Sequence, residues 1–145
     1  MNCSAPRYFF VFLIISISLT ACNKEYAPVP SATEQNIIYL TGSNGAYSDW
    51  KLNTLAIGNT NQPMTPPLSD YSIIYYLNGT FKDSDGMKGT WALINKDSIS
   101  QKITNAANGV YAVQGYRIVN LNATQLTVSY SANGKSVNAA YVAER

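Results

Sequence analysis

The residues of this chain that could carry covalent or acid–base chemistry are few and scattered. Histidine is absent, which removes the side chain most used for proton transfer near neutral pH and for holding zinc, copper or iron. Both cysteines, Cys3 and Cys22, lie in the first stretch of chain, so the remainder can build no disulfide, thiolate catalyst or cysteine metal site. The eight acidic residues show no pair that stands out as an acid and a base. Asp83-Ser84-Asp85-Gly86 begins like a calcium loop, but no glutamate follows at the required distance, so it reads as a turn. Serines are plentiful, yet no Ser-x-x-Lys arrangement activates one. The sequence therefore predicts no enzyme activity, no metal and no cofactor. Its aromatic residues are the richer signal, with 2 Trp and 11 Tyr to pack, stack or hydrogen-bond.

One chemical event is legible. Tyr8 to Leu19 form a short apolar run after the basic Arg7, the pattern of a secretory signal peptide over residues 1–21. The run is too short for a membrane-spanning helix, which needs about 20 apolar residues. Leu19-Thr20-Ala21-Cys22 resembles the bacterial lipobox, which implies cleavage before Cys22 and a diacylglycerol thioether on its sulfur. Acyl chains contribute about 0.8 kcal/mol per buried CH₂, so such an anchor holds a small domain at a membrane. The expected location is the cell envelope, lipid-anchored at the outer membrane. Residues 22–36 then read as the lipidated cysteine and a flexible tether, with Pro28, Pro30 and no apolar period.

The elements that must position the aromatic residues follow from 37–145, which has the length of one domain. A net charge of +2 falls to near neutrality once Arg7 is removed, which argues against a nucleic-acid partner. From Trp50 the chain reads as short strands punctuated by turns. Trp50, Leu52, Thr54 and Ala56 alternate with their neighbours. Tyr71, Ile73, Tyr75 and Leu77 do the same before Asn78-Gly79, a strong hairpin signal of the kind in which a type I′ turn places both residues at positive φ. Further strands are expected at Thr80 to Lys82, Gly89 to Ile94, Ser98 to Ile103, Val110 to Val113, Tyr116 to Leu121, Thr124 to Tyr130 and Lys135 to Ala143. No helix period is evident after the leader. Gly58 to Pro67 is the longest loop, broken by Pro63, Pro66 and Pro67. Tight sequential connections between about eight strands predict an all-β, antiparallel up-and-down barrel rather than a sandwich.

Leu40-Thr41-Gly42, Asp49-Trp50-Lys51-Leu52, Tyr71 through Phe81 and Gly89-Thr90-Trp91-Ala92-Leu93 resemble the lipocalin-like domains of Bacteroidetes lipoproteins. The resemblance runs from Ile37 to Val142 and implies a lipocalin-like barrel on an envelope lipoprotein of a Gram-negative bacterium. Asp97-Ser98-Ile99 likewise resembles the O-glycosylation acceptor of that group. The expectation is a non-enzymatic protein that binds a small apolar or amphipathic molecule in the barrel. The alternative is an accessory lipoprotein that contacts glycans or other envelope proteins through exposed tyrosines. The residues expected to line a ligand or fill the core are Trp50, Tyr71, Ile73, Tyr75, Trp91, Leu93, Leu126 and Val128. Trp50 and Trp91 suit a core first, and a cavity as well if one end of the barrel is open. Tyr75 and Tyr76 are adjacent and face opposite sides, so at most one of this pair faces the interior.

Overall fold

A computed structural model describes residues 28–43, 45–105 and 109–144. The expected leader, Cys22 and the first part of the expected tether lie outside the described residues. The first described element is helix α1 (Ala32–Thr41), followed by strands β1 (Tyr47–Ile57), β2 (Thr60–Asn61), β3 (Ser72–Tyr76), β4 (Thr80–Asp83) and β5 (Lys88–Asn95). Strands β6 (Ser98–Asn105), β7 (Gly109–Leu121), β8 (Gln125–Ala132) and β9 (Lys135–Glu144) complete it. Every pairing is antiparallel between sequential neighbours, apart from β1–β3 across the loop and the closing β1–β9 ladder. The result is a closed eight-stranded up-and-down barrel, with the two-residue β2 added on β1, consistent with a lipocalin-like barrel.

The length of β1 closes the ring. Its first half pairs with β3, from Tyr47↔Tyr76 to Lys51↔Ser72. Its other edge pairs with β9 from Asp49↔Glu144 to Ile57↔Val137. A bulge between Leu52 and Thr54 inserts one residue and switches the inward face. Trp50 and Leu52 are therefore buried, Thr54 is exposed and Leu55 takes over the inward role. This corrects the expectation that Thr54 and Ala56 continue the face of Trp50.

Helix α1 is the main departure from the sequence reading, which places a tether through residue 36 and expects no helix. Its cause is local. The Glu34 amide donates to Ser31 Oγ (3.2 Å), and the Ser31 amide donates to Glu34 Oε2 (2.7 Å). This reciprocal box satisfies two orphan donors of the first turn. Leu40 and Thr41 are buried at the far end of the helix. Trp50 Nε1 donates to the Leu40 carbonyl (2.9 Å), one of the carbonyls a helix end leaves without a partner. The helix thereby plugs the end of the barrel formed by the β3–β4, β5–β6 and β7–β8 turns, and Asn36 Nδ2 donates to the Lys96 carbonyl in the second of these (2.7 Å).

The Asn78-Gly79 and Asn133-Gly134 hairpins differ. Asn133 and Gly134 sit at φ 50° and 73°, the type I′ arrangement. In the Asn78-Gly79 turn only Gly79 has positive φ (81°), and its amide donates to the Tyr76 carbonyl (3.0 Å). That is the longer hairpin, a turn closed by a glycine bulge. The Asn78 side chain stabilises it by accepting from the Thr80 amide (3.0 Å) and hydroxyl (2.7 Å). A further correction is that Val110 to Leu121 is not two strands. Gly115 faces outward with open space around it and pairs with Ser100, so the ladder runs through it unbroken.

Gly89 is demanded by sterics rather than by φ. A Cβ there would stand 1.9 Å from the Lys102 carbonyl oxygen and 3.0 Å from Phe81 Cε1. Gly89→Ala must push β5 away from β6. We expect a loss of about 2 kcal/mol or more, as for other overpacked interiors, read as a fall in urea midpoint at unchanged m. Gly115→Ala, on the neighbouring β6–β7 ladder, leaves the stability within about 0.5 kcal/mol of wild type.

Candidate functional site

All eight residues expected to line a ligand or fill the core face the lumen, and the structure brings them into one cluster. Trp50, Ile73, Tyr75, Trp91, Leu126 and Val128 are buried, while Tyr71 and Leu93 pack on them partly buried. The Tyr75 ring lies 5.5 Å from Trp91, edge-on, and 6.4 Å from Phe81. Trp91 Nε1 donates to the Tyr76 carbonyl (3.0 Å). With Leu40 pressed in from α1, this half of the lumen is packed core.

Away from α1 the lumen turns polar, and one of the residues that make it so, Gln101, is not singled out by the sequence reading. Gln101 is buried and its Nε2 donates to the Tyr75 hydroxyl (2.7 Å). Asp83 is buried at the end of β4. Its Oδ2 accepts from the Tyr71 hydroxyl (3.2 Å), and its Oδ1 accepts from the Met87 amide (2.8 Å). Oδ1 thus closes the turn, in keeping with the turn reading of Asp83 to Gly86, while Oδ2 ties it to Tyr71 ahead of β3. Tyr116 and Tyr130 meet edge-on with ring centroids 5.1 Å apart, and Tyr141 joins them from β9. Burial, reinforced by neighbouring hydroxyls and Asp83, raises the Tyr116 phenol to about 12. Burial first, then the same neighbours, pushes Tyr71 and Tyr141 higher still. Burial also raises Tyr75 and Tyr130. All five are neutral hydrogen-bonding groups at physiological pH. A signal was available: Tyr130 alternates with Leu126 and Val128, and Tyr116 with Ile118, so parity alone turns them inward.

A cavity of ligand size lies outside the lumen, at the plugged end. It is a groove of about 540 Å³, within the range of small-molecule sites. One wall is the outer side of α1, with Gln35, Ile38 and Tyr39. The other is the rim of the barrel, with Tyr47, Asp49 and Glu144. Ala123, from the β7–β8 turn, closes one end. Ile38 also lines a neighbouring hollow of about 450 Å³ with Pro28, Val29, Pro30 and Ile37, so an apolar surface continues from the groove. Val29 is 91% exposed on that surface.

Within the groove Asp49 stands out. Its Oδ1 is shut off from solvent and accepts no hydrogen bond among the described residues. Its register partner on β9, Glu144, is engaged instead by Lys51, Nζ to Oε1 3.3 Å. No Lys or Arg lines the groove among its described residues. Tyr47 is half exposed at the mouth, its ring 5.7 Å from that of Tyr76. Sequence reasoning placed Asp49 beside Trp50 but had no means of finding the groove, because α1 makes half of it. Tyr39 is on the helix, in a stretch where the sequence reading finds no helix period.

No protein-family model matches the chain, and no curated protein or solved structure matches it either. Among the described residues no helix is long and apolar enough to cross a membrane.

Proposed function

We propose that this chain is a non-enzymatic, lipid-anchored cell-envelope protein whose barrel domain binds a small amphipathic molecule in the groove between α1 and the rim. The groove carries this reading. It joins a polar wall at Asp49 and Glu144 to an apolar surface across Ile38, the two halves an amphipathic ligand needs. The lipobox-like Leu19-Thr20-Ala21-Cys22 supports the anchor. Pro28 follows Cys22 by six residues, so an anchored chain holds the apolar hollow within about 20 Å of the lipid surface at full extension. A ligand leaving the bilayer would meet that hollow first.

Two experiments test it. Cys22→Ser moves the protein from the membrane fraction to the soluble fraction, or stalls its processing; a variant that is cleaved normally and stays membrane-bound removes the anchor. Native mass spectrometry of protein purified from its own envelope shows a bound small mass. Ala123→Trp, an exposed turn position that fills the groove, loses that mass without lowering the melting temperature. A bound mass that survives Ala123→Trp removes the groove.

The second reading is an accessory lipoprotein that meets glycans or other envelope proteins through its outer face. The Tyr47–Tyr76 pair on the outer surface of β1 and β3 favours it. It calls for a Tyr76→Ala variant, outside the groove, that loses partner capture while the small bound mass stays.

A further inference from the structure

We propose that the plugged end of the barrel lies against the bilayer, so that Val29, Ile38, Leu77 and Ile94 enter the lipid interface and the opposite end faces away. This rests on the lipid-anchor reading of Cys22 and adds a second membrane contact and an orientation.

Little tether is left between the anchor and the fold. The sequence reading allows a flexible segment through residue 36, but the Ser31 capping box turns residues 32–36 into α1. Pro28, Val29 and Pro30 line one hollow with Glu34, Ile37 and Ile38, so the chain already runs along the helix there. Pro28 follows Cys22 by six residues, a span of about 20 Å at most. The plugged end is therefore the part of the domain held nearest to an anchored lipid.

The same end carries exposed apolar side chains from separate elements. Val29 is 91% exposed ahead of α1, Leu77 52% in the β3–β4 turn and Ile94 68% beside the β5–β6 turn. Ile38 is exposed on the outer side of α1. These elements are tied together. Asn36 Nδ2 donates to the Lys96 carbonyl (2.7 Å), and the Leu77 amide donates to the Ala46 carbonyl (3.1 Å) just ahead of β1. The half-exposed Tyr47, paired with Tyr76, stands behind them on the outer wall, where an amphipathic ring suits the headgroup layer. At the opposite end the exposed Met87 and Ile57 share the surface with Asp85, Lys88 and Lys135. Val113, Val119 and Val142 are outward strand positions along the wall, of the scattered kind that any soluble surface carries.

Charge and tether decide the occupant. Among the described residues this end has no basic cluster to hold anionic headgroups or an acidic protein. Lys96 is followed by Asp97, and Glu34 is held in the capping box. What the end offers is apolar contact, which a zwitterionic bilayer accepts. A second contact made by an anchored domain is intramolecular, so a few side chains suffice where a free domain would bind weakly. A second copy would have to compete with a bilayer already within reach.

The domain after Cys22 has no cysteine, so single cysteines can report its orientation. Ile94→Cys, Leu77→Cys and, at the opposite end, Met87→Cys each carry a polarity-sensitive fluorophore. The full lipidated chain is reconstituted into phosphatidylcholine vesicles that contain a spin-labelled quencher lipid, and its mass reports the lipid on Cys22 separately. We expect quenching at positions 77 and 94 to exceed that at 87 roughly threefold or more, unchanged by phosphatidylglycerol or high salt. Val29→Glu lowers quenching at position 94 about twofold, keeps the lipid mass, and melts within about 2 °C of wild type, as an exposed substitution should. Quenching that is equal at all three positions, or absent from all three in a chain whose mass shows the lipid, overturns the orientation and leaves the anchor standing. Quenching that requires phosphatidylglycerol overturns the apolar contact. Labels at 77 and 94 that report an apolar environment yet escape the quencher lipid place a protein there, and overturn the bilayer. A mature chain without lipid on Cys22 overturns the anchor, and the orientation with it.

Discussion

Trp50→Ala lowers the melting temperature of the mature domain by about 15 °C. The indole is fully buried, and its N–H joins barrel to helix by a buried hydrogen bond across the end of the lumen. Truncating a buried tryptophan costs about 3–5 kcal/mol, out of the roughly 5–15 kcal/mol that holds a domain together. At this chain length each kcal/mol shifts the midpoint by about 4 °C. No disulfide can compensate, because the chain after Cys22 has no cysteine. The variant also strips the Leu40 carbonyl of its donor, so α1 should loosen before the sheet does. Calorimetry gives the midpoint, and amide exchange at Ile37 to Thr41 gives the helix. Trp50→Phe keeps an aromatic ring but loses the N–H and part of the indole's volume, so it should cost less than Trp50→Ala while exchange in α1 still rises. A Trp50→Ala midpoint within about 2 °C of wild type would mean that the plug and the barrel are independent.

The barrel was largely legible in the sequence because its rule is local. Each strand alternates, each turn carries Asn, Asp or Gly, and sequential antiparallel pairing needs no long-range information beyond closure. What escaped was of two kinds. Some signals were present and outweighed: Ser31-Ala32-Thr33-Glu34 is a capping box, yet the prolines before it made the whole stretch read as tether. The same holds for Tyr116 and Tyr130, whose inward parity was available. Other features had no local signature. The bulge after Leu52 is set by how β1 must bend to meet both β3 and β9, and nothing in Trp50 to Ile57 announces it. Two of the Asn-Gly dipeptides, at Asn78 and Asn133, close different hairpins, because Asn78 spends its side chain on Thr80 whereas Asn133 itself adopts positive φ. The groove belongs to this second kind. Asp49 looks like any outward strand carboxylate until α1 folds across the rim and makes a groove of which it lines one wall.

The largest effect of pH should come from the far half of the lumen. Tyr71, Tyr75, Tyr116 and Tyr141 are all held protonated by burial well above the ordinary phenol value. Below that value, near 10, these hydroxyls are neutral in folded and unfolded chains alike and the stability they support is fully present. Above it the unfolded chain sheds protons that the fold must keep, so unfolding becomes easier as pH rises. The loss continues until the folded-state values are passed, about 12 for Tyr116. Each such group contributes about 1.4 kcal/mol per pH unit, and four together give a slope of about 5 kcal/mol per unit at its steepest. A domain of ordinary stability therefore unfolds cooperatively between about pH 11 and 12. Circular dichroism and tyrosinate absorbance, followed on one sample from pH 9 to 12, should move together, the phenols ionising as the sheet is lost. Tyr116→Phe and Tyr141→Phe each keep the ring and remove the proton, so each should flatten the slope by about 1.4 kcal/mol per unit. If the phenols instead ionise near pH 10 with the sheet intact, water already reaches the Asp83 end of the lumen freely, and the tyrosines there are a wetted lining rather than a sealed polar core.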